Sequence, residues 1–298
     1  MPRQVPRRGQ EIRAVFAVLF LSLAFAPAAK AADPDAVARG GYLAAAAGCD
    51  QCHTDSDHGG QPYAGGRLLA TSFGTIATPN LTPDRATGIG RWSAADFIRA
   101  LRWGIAPDDS HYVPDFPFLF YNRLSEPDLA DIKAFLDSLP AVSRRGLKGA
   151  GSTALLARAR AALRIAATPS PGPWQPDPQK DPVWNRGAYL VAAIGRCGDC
   201  HTPRTAFGTP DAQRLLAGTP PGSGGRRVPN ITPDQKTGIG NWSTDEIIGL
   251  LTDGHTPDFD FVGGLMADIV KNTARLSEAD RRAIAVFLQS VPAVASQK

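Results

Sequence analysis

"GCDQCH" spans Gly48–His53 and "RCGDCH" spans Arg196–His201, and together they use all four cysteines of the chain. In each stretch two residues separate the thiols, and a histidine follows the second. Cys-x-x-Cys-His is the attachment pattern of c-type haem. Two thiols at this spacing reach the two vinyl groups of one porphyrin and become thioethers. The adjoining imidazole then lies under the iron and binds it. Cys49, Cys52, Cys197 and Cys200 are therefore read as covalent anchors, and His53 and His201 as the proximal iron ligands. Two covalently bound haem c groups are expected. Three other readings compete: a thioredoxin-like redox pair, a zinc site and plain disulfides. A redox pair gives no reason for the histidine to recur. Zinc leaves one or both histidines without a task.

Working outward from the two motifs, the chain is one unit written twice. "RGGYLAAAAG" (39–48) corresponds to "RGAYLVAAIG" (186–195), and "PNLTPDRATGIGRWS" (79–93) to "PNITPDQKTGIGNWS" (229–243). "LSEPDLADIKAFLDSLPAV" (124–142) corresponds to "LSEADRRAIAVFLQSVPAV" (276–294). In each copy a short helix leads into the Cys motif and a long Gly/Pro loop follows. A helix then opens at Ser93 or Ser243, with Asp96 or Glu246 three residues on as a capping box. A last helix opens at Ser125 or Ser277. Its spacing buries one face: Leu129, Ile132, Phe135 and Leu136 in the first copy, Ile284, Phe287 and Leu288 in the second. No strand alternation stands out. The expected fold is all-α, two small helical domains (32–142 and 184–298) joined by a linker (143–183). "STALLARARAALRIAA" (152–167) reads as a connecting helix inside that linker. With so little helix and so much loop, each domain needs the apolar mass of a haem to build a core.

Residues 1–31 read as an export signal, with an uncleaved anchor as the alternative. Arg3, Arg7, Arg8 and Arg13 precede the apolar run "AVFAVLFLSLAFAPAA" (14–29), and "AKA" (29–31) is a small-x-small cleavage site. Nothing after it has the apolar length to span a bilayer. The expected location is the periplasm, with any membrane contact made through a partner. The leader carries five basic residues and one acid; without it, 27 basic and 27 acidic residues remain. The basic pI of the whole chain therefore belongs to the leader, and a nucleic-acid partner loses its main support and is not expected. Residues 32–140 carry 8 basic against 14 acidic residues, and 141–183 carry 7 against 2.

The far side of each iron decides its behaviour. A methionine there raises the potential, because a neutral, soft thioether favours ferrous iron. After the leader is removed one methionine remains, Met266 in "FVGGLMADIV" (261–270). It falls where a distal ligand of the second haem should arrive. The matching positions in the first copy are Phe116 or Pro114, and neither binds iron. His111, His58 or an open position are the candidates there. His255 reads as a surface or haem-edge residue. The carbonyls of Pro79-Asn80 and Pro229-Asn230 are candidates to accept the imidazole Nδ1 proton. Arg67, Arg91, Trp92 and Trp242 are candidates for reaching the propionates.

The doubled "PN[LI]TPD…TGIG.WS" blocks, each behind a Cys-x-x-Cys-His, resemble the multihaem cytochrome c subunits of periplasmic dehydrogenases acting on alcohols, aldehydes, gluconate or sugar alcohols. The resemblance covers nearly all of residues 35–296. It implies tandem class I cytochrome c domains that carry electrons from a partner dehydrogenase to a quinone or a terminal oxidase. By position it implies His53 and His201 as proximal ligands and Met266 as a distal one. Two departures stand out. Well-known members have three haem motifs, and their first domain often has Pro-x-Met-Pro where this chain has Pro114-Asp115-Phe116-Pro117. No nucleophile motif or phosphate loop accompanies the haem motifs, so no catalytic residue is assigned. The competing classes are a haem enzyme acting on peroxide or sulfur compounds, and a gas sensor; both would use a first haem without methionine.

Overall fold

Asp33 accepts a hydrogen bond from the Asp35 N–H (3.1 Å), and Pro34 fills the first turn behind it. This cap opens α1 (Pro34–Ala46) by satisfying a free N–H and placing proline where no donor is needed. The computed structural model describes residues 33–71, 74–112, 116–144, 159, 163, 172–205, 209–221 and 227–296. The expected signal segment lies outside them, as does the expected linker helix apart from Ala159 and Leu163.

The first half continues with α2 (Cys49–His53), a 3-10 turn at Ser56–His58, and the antiparallel pair β1 (Leu68–Thr71) and β2 (Gly74–Ala77). Then come α3 (Ala94–Trp103), α4 (Phe118–Tyr121) and α5 (Glu126–Ser138). The second half repeats this order with α6 (Pro182–Tyr189), a π turn at Leu190–Ile194, α7 (Cys197–His201), α8 (Thr244–Asp253), α9 (Leu265–Thr273) and α10 (Glu278–Ser290). The described residues are mainly helix and loop, in keeping with a cytochrome c fold. The β1–β2 pair was not expected from the sequence. Its strands are four residues long, so alternation has too little length to declare itself.

The expected caps form. Ser93 accepts from the Asp96 N–H (3.1 Å) while the Asp96 carboxylate accepts from the Ser93 N–H (2.9 Å). Ser243 and Glu246 do the same at α8 (3.2 and 2.7 Å). The predicted faces of α5 and α10 are inside: Leu129, Ile132, Leu136, Ile284, Phe287 and Leu288 are buried, and Phe135 is partly so. α1 packs on α5 and α6 on α10, the first helix of each half against its last. Both crossings depend on a glycine. A β-carbon on Gly40 would stand 1.9 Å from the Asp131 carbonyl oxygen, and one on Gly187 would stand 1.9 Å from that of Ala283. Gly187→Ala must push α6 off α10. Overpacking of this kind costs about 1–3 kcal/mol, read as a lowered midpoint in a thermal melt followed by circular dichroism. An unchanged midpoint would mean that the helix crossing accommodates a methyl group without moving.

Residues Ala32–Lys298 make one compact unit, and the two halves meet reciprocally. The Tyr42 hydroxyl donates to Asp280 (2.6 Å) and accepts from the Ser277 N–H (3.0 Å). The Tyr189 hydroxyl donates to Asp128 and accepts from the Ser125 N–H (3.0 Å). Tyr42 and Tyr189 occupy the same place in the repeat, as do Ser125 and Ser277. Each half thus caps the last helix of the other, as in an isologous dimer written on one chain. Arg275 adds an ion pair to Asp50 (2.9 Å), and the Gln51 amide donates to the Asp268 carbonyl.

Candidate functional site

In a helix, residues i, i+3 and i+4 share a face. α2 and α7 are five residues long, and each starts at the first cysteine and ends at the histidine. Cys49, Cys52 and His53 therefore fall on one side, and Cys197, Cys200 and His201 repeat the arrangement. Each helix is entered through a left-handed residue, Gly48 (φ 68°) or Arg196 (φ 51°), which turns the chain sharply away from the preceding helix.

The imidazoles are fixed from behind. His53 Nδ1–H donates to the Pro79 carbonyl (2.8 Å), and His201 Nδ1–H to the Pro229 carbonyl (2.8 Å). A carbonyl can only accept, so the proton is on Nδ1 and the Nε2 lone pair is left for a metal. Burial lowers the pKa of both rings, partly opposed by these bonds to carbonyl oxygens, so both favour the neutral, ligating form. The proline loops are held in turn by Asn80 and Asn230, both buried. Asn80 Nδ2 donates to the Val142 carbonyl (2.7 Å) and Asn230 Nδ2 to that of Val294 (2.7 Å). Their Oδ1 atoms accept from the N–H groups of Thr82 (2.9 Å) and Thr232 (2.8 Å). The "PN[LI]T" block is therefore a clamp that ties the histidine's carbonyl partner to the end of each repeat. The sequence offered the recurrence of this block but not the distant residues it holds.

The thiols behave unlike a redox pair. Burial pushes Cys49 up to about 12 and Cys197 up to about 11, where a reactive pair needs a depressed value. None of the four cysteines is in a disulfide. Among the described residues no three His, Cys, Asp or Glu side chains converge as a metal-holding group. Two thiols and a neutral imidazole on one helix face, with the imidazole oriented from behind, fit covalent haem.

The distal candidates separate. Met266 is half-buried in the first turn of α9. His111 pairs with Ile105 in a short bridge matched in the second half by His255 and Phe261. Carried forward at the offset of His111 to Phe261, Phe116 matches Met266; at the offset of Ser125 to Ser277, Pro114 does. Phe116 packs against Tyr112 and Tyr121 (ring centroids 5.2 and 5.8 Å). His111 takes the place of Phe261, whose side chain is 61% exposed. No contact among the described residues joins His111 to His53. His58 is on the surface, 77% exposed, with Nδ1 on Asp55 (2.8 Å). His255 is also exposed, bonded to Asp253 (2.9 Å) and stacked on Phe261 (4.0 Å). Arg67 donates to the Gln51 carbonyl of α2, Arg91 is exposed, and Trp92 and Trp242 pack on the core. Phe259, 93% exposed at φ 59°, is a surface feature that the sequence pattern did not single out.

Among the described residues no helix is long and apolar enough to cross a membrane. No protein-family model matches the chain. It is 42% identical over 263 residues to a "Diheme cytochrome c-type" protein of Cereibacter sphaeroides, covering 86% of each. It is 35% identical to the fructose dehydrogenase cytochrome subunit of Gluconobacter japonicus, over 90% of this chain and 55% of that one. It is 36% identical to the gluconate 2-dehydrogenase cytochrome c subunit of Pantoea cypripedii, over 95% of this chain and 66% of that one. The chain thus spans nearly all of its dihaem relative, but only about half to two thirds of these dehydrogenase subunits. With Cys-x-x-Cys-His twice and the same proline clamp behind each histidine, the chain belongs to the dihaem c-type cytochromes.

Proposed function

We propose that this protein is a periplasmic electron carrier that takes electrons from a partner dehydrogenase and passes them to a quinone or a terminal oxidase. Two domains, 32–142 and 184–298, each hold one haem c, through Cys49, Cys52 and His53 and through Cys197, Cys200 and His201. When bound, each haem supplies reversible one-electron exchange at iron. The chain supplies the rest. The thioether anchors keep the cofactor in place, and Pro79 and Pro229 fix the ring orientation and proton position of the two histidines. In this reading Met266 gives the second iron a neutral soft ligand. For the first iron, His111 or an open position remains, since neither Phe116 nor Pro114, the two positions that could match Met266, binds iron. The dehydrogenase partner is supported by the names of the relatives, which are cytochrome subunits of fructose, gluconate and alcohol dehydrogenases. The observation that carries the reading is the recurrence of one geometry, a histidine Nδ1–H on a proline carbonyl at 2.8 Å, behind both Cys motifs.

The test is the mass of the exported protein from cells competent in cytochrome maturation, with a redox titration of its spectrum. Two added porphyrins and two one-electron steps are expected. A mature mass without added porphyrin overturns the reading.

A further inference from the structure

The two repeats enter their Cys motifs differently. Six residues separate Tyr42 from Cys49, and seven separate Tyr189 from Cys197. The extra residue is absorbed by the π turn at Leu190–Ile194, closed by the Gly195 N–H on the Leu190 carbonyl (2.7 Å). Such single-turn π bulges occur frequently at functional sites. Here the bulge delivers a residue to the left-handed position before Cys197, and that residue is Arg196 at φ 51°. A side chain in this conformation costs about 1–2 kcal/mol that glycine avoids, and the first repeat does use glycine, Gly48.

Arg196 does not point to solvent. Its side chain is 19% exposed. The guanidinium lies over the ring of Tyr121, 5.2 Å from the centroid. Tyr121 belongs to the first half, and its hydroxyl approaches the carbonyl of Ala47, two residues before Cys49 (3.5 Å). The counter-charge is thin: one long contact to Asp199 (3.5 Å), with Nε buried and unpartnered. This cation reaches the other repeat: its charge acts on Cys49 as well as on Cys197, its own neighbour in sequence.

We propose that Arg196 is a fixed, buried cation, carried across from the second half, that raises the reduction potential of the haem anchored at Cys49 and Cys52. The proposal rests on the haem assignments above. Oxidising a haem adds a positive charge, and a nearby cation shielded from water opposes that. Net charge and solvent exposure are among the levers by which a protein sets such potentials. The strained backbone at Arg196 and the bulge before it are then the structural means of placing the charge.

The test compares holoprotein with Arg196→Gly and Arg196→Lys by redox titration, after mass spectrometry has confirmed two porphyrins in each. Arg196→Gly copies the first repeat and relieves the backbone, so it should fold at least as well as the parent. In it, the one-electron equilibrium of one haem should move about tenfold towards ferric, a fall of ~59 mV, while the other haem moves less. The shift should persist at high salt, because a buried charge is poorly screened. Arg196→Lys should stay near the parent. Unchanged potentials in Arg196→Gly, or an equal fall in Arg196→Lys, would overturn the proposal and leave Arg196 a packing residue on Tyr121. A parent mass without two porphyrins would overturn the attachment assignment itself, and this proposal with it.

Discussion

Replacing Cys197 and Cys200 together by serine is expected to remove one porphyrin from the mass of the protein and to lower the melting point of both halves. The first effect follows from the chemistry, since serine forms no thioether. The second follows from packing. α6, α8, α9 and α10 are helices of 8 to 13 residues, and helices so small bury little surface without a large apolar body between them. If the second half loosens, the first half loses what the second supplies. Tyr189 no longer accepts from the Ser125 N–H or donates to Asp128, so α5 loses its external cap. Arg275 and Gln51 lose their bonds across the joint. Each such hydrogen bond contributes about 1 kcal/mol, against a native margin of ~5–15 kcal/mol. Hydrogen exchange in α5 should therefore accelerate in a variant altered only in the other half. A first half that keeps its parental protection and melting point would show that the two halves are thermodynamically separate, despite their hydrogen bonds.

Much of this architecture was legible in the sequence because it is local. Ser93 and Asp96, or Ser243 and Glu246, lie three residues apart and declare a helix start by themselves. The buried faces of α5 and α10 follow from helical spacing alone. The proposed anchors and proximal histidines lie within five consecutive residues, so they could be named from the sequence alone. The proline carbonyls were legible because their block recurs at a fixed distance from each motif. What could not be read depends on chain folding over long separations. Tyr42 meets Asp280 across 238 positions, and nothing in either local pattern names the other. Asn80 and Val142 are 62 apart and meet only because α5 returns beside α1. The placement of His111 is a register question. That it takes the place of Phe261 shows only in a bridge that brings Ile105 to His111 and His255 to Phe261. The π turn had a trace, since the offset between repeats is one residue smaller at the tyrosines than at the cysteines. That difference of one looks like ordinary loop drift until the helix is seen to absorb it.

Met266→Ala should lower the potential of one haem only, by tenths of a volt within the ~0.8 V range that axial ligands span. The protein should otherwise stay folded with two porphyrins. Met266 is only half-buried and lies in the first turn of α9, next to an exposed Leu265. Its truncation should therefore cost less than the 2–5 kcal/mol of a fully buried methionine. The electronic effect is larger because of the element involved. A thioether stabilises ferrous iron without adding charge, and alanine offers the iron nothing in its place. The second haem should then become open to carbon monoxide, which binds where a ligand is missing. His111→Ala is the matched variant in the first half. If His111 binds the first iron, this variant gains carbon monoxide binding that the parent lacks. If the first iron is already open, the parent binds carbon monoxide and His111→Ala changes little. Unaltered potentials in Met266→Ala would remove methionine from the iron altogether. The correspondence of Phe116 or Pro114 with Met266 would then describe how the two halves pack, and would say nothing of how their irons are held.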